Sequence, residues 1–162
     1  MTLARLAELA ALAGPASSAH AAHSTAGIAG MAGMAIGGAF LASVLTFLML
    51  PKGGEEGASR LTWTAWHWFN IGGRMQQPIP IDVGFAVDAM TATMMLVVTG
   101  VGFLIHLYSS EYMRKDPGYH RFFSYLNLFC FSMLVLIMGD SLPILFVGWE
   151  GVGLCSYLLI GF

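Results

Sequence analysis

Four long apolar runs separated by short polar stretches set the plan of this chain. The first runs from 27 to 50 without a charge, and Pro51-Lys52-Gly53-Gly54-Glu55-Glu56 closes it. The second, 85–108, ends where Glu111, Arg114 and Lys115 begin. The third, 122–139, is followed by the brief Asp140-Ser141 connection, and the fourth occupies 142–162. Each is long enough, at 1.5 Å per residue, to cross most or all of a hydrocarbon core of about 30 Å. Residues 1–26 form a non-spanning segment: Leu3, Leu6, Leu9 and Leu12 recur every third position around Arg5 and Glu8, a short amphipathic helix at most. The connection 51–84 reads differently. Ile79, Ile81, Val83, Phe85 and Val87 alternate with period two after Gly72-Gly73, which predicts a short β-hairpin on the membrane surface. The expected fold class is an all-α polytopic membrane protein of about four transmembrane helices, with a short surface β-hairpin between the first two.

Composition agrees with that class. Of 162 residues, 57% are hydrophobic and only 10% charged, which excludes an ordinary soluble domain of this size. A net charge of -2 gives no basis for nucleic-acid binding. Trp63, Trp66 and Trp68 suit a membrane–water boundary, where an indole keeps its polar edge wet. The loop 109–121 packs Arg114, Lys115 and Arg121 into a short stretch, whereas Lys52, Arg60 and Arg74 are spread through a connection more than twice as long. Basic density near helix ends places the 109–121 loop on the cytoplasmic or matrix side. Pro15-Ala16-Ser17-Ser18-Ala19-His20-Ala21 imitates a signal-peptide cleavage site, but Glu8 interrupts the apolar core that such a peptide needs. His20 and His23 lack a third ligand, and Cys130 and Cys155 lie inside apolar runs, so no metal or cofactor site is expected.

The candidate chemistry is one carboxylate, Glu150, inside the fourth run. It lies about 12 Å in from Leu142, where an acid disfavours insertion by roughly 2.5–3.5 kcal/mol and is usually retained for function. Desolvation favours the protonated form of a carboxyl group and a nearby cation favours the ionised one, so a group held between them can switch when its partner moves. Gly148, Gly151 and Gly153 clear side chains from around it, and Gly153 and Tyr157 share its face. No Lys or Arg occurs from Phe122 to Phe162, so a cationic partner has to come from elsewhere. Glu150 as a purely structural carboxylate, hydrogen-bonded to a neighbouring helix, is the alternative. Steps of three and four along the second run bring Asp88, Thr91, Met95, Thr99, Gly102 and His106 to one face, and Asp88, Thr99, His106, Asn127 and Tyr157 are the candidates for a polar path. The threonines could equally bond back to their own helix, and His106 could be a proton acceptor or a satisfied surface residue. Asp140 reads as a helix cap, and Pro143 fits the first turn of the fourth run.

The stretch Gly148-Trp149-Glu150-Gly151-Val152-Gly153-Leu154-Cys155-Ser156-Tyr157-Leu158-Leu159-Ile160-Gly161-Phe162 resembles the subunit L family of bacterial NADH-quinone oxidoreductase, the counterpart of chain 5 in mitochondrial respiratory complex I. The blocks 97–108 and 118–129 agree with it. The resemblance implies a proton-translocating, antiporter-like membrane subunit without a redox centre, part of an H+-translocating NADH:quinone oxidoreductase. NADH, FMN, iron–sulfur clusters and quinone would sit on other subunits. Glu150 matches the family's glutamate that pairs with a lysine on a later helix. Implied partners are the lipid bilayer, neighbouring antiporter-like and other membrane subunits, and later helices of the same subunit, with no nucleic acid. The implied location is the bacterial inner membrane, ahead of the mitochondrial one. The sequence departs from the family at its beginning, which is too charged to span, and at its end, so an incomplete amino-terminal piece, inactive by itself, is expected. A multisubunit cation/proton antiporter subunit and a non-catalytic remnant or scaffold are the other readings.

Overall fold

A computed structural model describes residues 15–50, 60–72 and 79–162, with the backbone alone for 15–26, 28 and 29. Helix α1 (Pro15–Met49) leads to strands β1 (Leu61–Ile71) and β2 (Ile79–Val87), followed by α2 (Ala89–Tyr112), α3 (Tyr119–Met138) and α4 (Leu142–Ile160). Four stretches are long and apolar enough to cross a membrane: Gly30–Met49, Ala89–Tyr112, Tyr119–Met138 and Leu142–Ile160. The expected class holds: four spanning helices, with a two-stranded antiparallel sheet between the first and second.

Local chemistry decides where the elements begin. The apolar run starting at Phe85 is not all helix: Phe85, Ala86 and Val87 finish β2, and α2 starts at Ala89. The boundary is Asp88, whose extended backbone and side-chain oxygen, accepting the Thr91 N–H at 2.7 Å, satisfy one of the orphan donors of the first turn. The second connection is shorter than the charge pattern suggests, because α2 continues to Tyr112 and α3 resumes at Tyr119. Helix α1 likewise reaches back to Pro15, into the segment read as non-spanning. The putting together of Met1–Gly14 as an amphipathic helix, and the expected second half of the Gly72-Gly73 turn, fall outside the described residues. Of that turn, Gly72 is described, with a φ of 148° that favours glycine.

Close approaches at glycine fix the helix packing. Phe40 of α1 lies against Gly100 of α2, and Phe103 of α2 lies against Gly37 of α1, so each helix seats an aromatic ring on the other's bare backbone; a Cβ would come within 3.0 Å and 3.2 Å of those rings. Helices α3 and α4 come closer still. A Cβ on Gly148 would stand 2.6 Å from the Cα of Leu136, and one on Gly151 would stand 2.7 Å from Ser132 Oγ. Ile144, Gly148 and Cys155, all buried, lie on this contact edge of α4.

The hairpin gathers at one end of the helices. Trp63 and Phe85 are cross-strand partners and stack with ring centres 6.1 Å apart. On its other side Phe85 forms a single antiparallel bridge to Gly139, so β2 lies between β1 and the α3–α4 connection. The Asp140 N–H donates to Gly84 O at 3.1 Å and Ser141 Oγ to Asp82 O at 3.3 Å. The opposite end holds residues 113–118, where Phe162 packs across Gly118 and Phe122.

Candidate functional site

Glu150 sits eight positions after Leu142, near the middle of α4, which spans 19 residues. Its location follows from the contact edge. With Ile144, Gly148, Gly151 and Cys155 turned to α3, the same periodicity turns Phe146, Trp149, Glu150, Leu154 and Tyr157 outward, and all five are exposed. Among the described residues no hydrogen bond or ion pair reaches the Glu150 carboxylate. The acid is thus presented at bilayer depth on a face that these four helices leave uncovered. Tyr157, two turns on, is 74% exposed and shares that face.

The other polar positions do not join Glu150. Thr99 is fully buried between α1 and α2, donating to Met95 O at 2.6 Å with Ser43 Oγ 3.4 Å away. Ser43 itself bonds back to Ala39 O at 2.8 Å. Asn127 Nδ2 donates to Phe123 O at 3.1 Å, one turn back on its own helix. Of the two readings of His106, the surface one fails: the ring is 1% exposed, beside Phe123 with centroids 5.9 Å apart. Asp88 caps α2 instead of continuing the stripe into the membrane. Its carboxyl is held below the usual carboxylate range, first by the Thr91 backbone N–H, then by the Thr91 side chain, with desolvation opposing.

Asp140 is not the cap of α4. Ser141 holds that position, without a side-chain bond, while the Asp140 carboxylate pairs with Arg60. A partner so distant in sequence left no local signal. His67 and Asp82, cross-strand neighbours, pair at 2.7 Å on the exposed surface of the hairpin. Among the described residues no cluster of three His, Cys, Asp or Glu side chains could hold a metal ion. The side chains of His20 and His23 lie outside the described set.

A polytopic helical protein with a lone acid on an uncovered helix face is the class that fold and site define. Residues 68–123 match the family model described as NADH-ubiquinone oxidoreductase (complex I), chain 5 N-terminus. The chain is 45% identical over 129 residues to NADH-quinone oxidoreductase subunit L of Escherichia coli K12, covering 78% of this chain and 20% of that one. Identity to the protein of the same name from Pseudomonas aeruginosa is 53% over 108 residues, covering 67% and 16%. For Neisseria meningitidis serogroup B it is 45% over 126 residues, covering 77% and 18%. Over the matched stretches the chain is similar to the complex I chain 5 and subunit L family. It spans about a fifth of the length of the curated relatives that it matches.

Proposed function

We propose that the chain forms part of a proton-translocating, antiporter-like subunit of a bacterial NADH-quinone oxidoreductase, with Glu150 as a carboxylate that changes protonation state in the working cycle. The observation that carries this reading is the position of Glu150: mid-helix, outward-facing and unpaired among the described residues. A bare carboxylate in hydrocarbon is costly, so the uncovered face of α4 is read as the surface on which further protein closes. If that protein brings a cation, the ionised acid is favoured, and when the cation withdraws the protonated acid is favoured. Alternation between those states takes up and releases one proton. The absence of Lys and Arg from 122–162 puts the cation on another part of the subunit or on a neighbouring one.

On this reading NADH, FMN, iron–sulfur clusters and quinone are handled by other subunits, and this chain contributes ion movement alone. The location is the bacterial inner membrane, beside other antiporter-like subunits. The test is proton translocation by the assembled oxidoreductase carrying Glu150→Gln, which keeps size and hydrogen bonding but removes titration. Pumping should fall by roughly 10²-fold, the lower end for loss of an acid–base group, while assembly is retained. Glu150→Asp should be milder. Undiminished pumping by the Gln variant would make Glu150 structural.

A further inference from the structure

A second polar group in the spanning helices lacks a hydrogen-bond partner among the described residues. His106 Nδ1 lies 2.8 Å from the Gly102 carbonyl, which can only accept, so Nδ1 carries the proton and Nε2 keeps a lone pair. That Nε2 is buried and has no hydrogen-bond partner among the described residues. Burying an acceptor without a donor is costly, and the neighbours against the ring, Phe123 of α3 and the Gly102 carbonyl, offer none. Beside it, between α1 and α2, lies a cavity of about 890 Å³ that His106 itself lines. The cavity continues past Ser110 to Glu111, Arg114 and Tyr119 at the end that holds residues 113–118.

From this geometry we infer that His106 Nε2 is a proton-accepting site, reached through that cavity from the 113–118 end. A proton arriving along the cavity bonds to the Nε2 lone pair and makes imidazolium; Nδ1–H stays on the Gly102 carbonyl, and the same proton leaves by the same bond. Imidazole is suited to this because one ring nitrogen can take up or release a proton while the other keeps its hydrogen bond. The charged and titratable groups that face the site are few. Helix α2 supplies Glu111 and Arg114 at the mouth, with Arg114 Nη1 3.4 Å from Glu111 Oε2. Helix α3 supplies Tyr119, whose hydroxyl is 3.4 Å from Ser110 O. The described side chains of α1 along the cavity are uncharged. The assignment is independent of the role given to Glu150, which lies on α4, a helix packed on α3 and not on α2.

The test reads the nitrogen directly. The chain, with its five histidines labelled with nitrogen-15, is placed in lipid nanodiscs and followed by nuclear magnetic resonance as the sample is acidified from alkaline pH. The His106 signals are assigned by their loss in His106→Gln or, should that variant misfold, by replacing the other four histidines. At alkaline pH Nδ1 should be protonated and Nε2 bare; on acidification Nε2 should shift to the protonated position. A bare Nε2 throughout the range in which the chain stays folded, or the opposite tautomer, would overturn the assignment. Access is tested separately with Gly33→Leu, whose side chain enters the open space of the cavity. Proton exchange at Nε2 should slow several-fold, and an unchanged rate would overturn the route.

Discussion

Asp88 shows how a single side chain can mark a boundary that hydropathy does not. Its carboxylate holds the Thr91 N–H, and that bond depresses its proton affinity in the folded state. A group whose folded value is lowered adds stability above its unfolded value, near pH 4 for aspartate, and loses it as pH falls through the lower folded value. The melting temperature of the chain in detergent should therefore drop on the acid side of about pH 4. Asp88→Asn keeps a cap acceptor and should lose that acid dependence, whereas Asp88→Ala should cost about 1 kcal/mol at neutral pH. The same acid limb in the Asn variant would assign the pH effect to another group. Glu150 and His106 differ from Asp88 in kind, since each lies within a helix and neither is needed to start one.

Helix against helix, the sensitive joint is α3–α4. Since a Cβ on Gly148 would meet the Leu136 backbone, Gly148→Ala must push the helices apart, at a cost of about 1–3 kcal/mol. Gly153→Ala, in open space, is the matched control and should leave the melting temperature nearly unchanged. Equal effects of the two would mean that helix propensity, not contact, governs. The four spans were legible in the sequence because length and absence of charge are enough to mark them. The second strand was legible through its period of two. The start of α2 was not, because Phe85 and Val87 are as apolar in a strand as in a helix, although Asp88 followed three residues later by Thr91 carried the cap. Glu150 stood out as a charge among apolar neighbours. The burial of His106 could not be read, because it depends on α1 and α3 closing over it, and the Arg60 claim on Asp140 depends on a contact across 80 positions.

Among the described residues, the charged side chains other than Glu150 are sorted to two ends of the molecule. The hairpin, Asp88 and the α3–α4 connection share one end, and residues 113–118 with the carboxyl-terminal Phe162 share the other. By the density of Arg114 and Lys115, with Arg121 close by, the second end is expected on the cytoplasmic or matrix side. A reporter fused after Lys115 should be active only if it works inside the cell; activity confined to an exported-type reporter would invert the orientation. The clasp between hairpin and helices also carries a timetable. Arg60 precedes Asp140 by 80 residues, so the ribosome completes both strands, α2 and α3 before the hairpin's anchor exists. Until then the Asp82 and Gly84 carbonyls lack the Ser141 and Asp140 donors that they hold in the folded chain. Those two bonds can form only once the start of α4 has been made, so the hairpin is built as a latch that the acid-bearing helix itself must close.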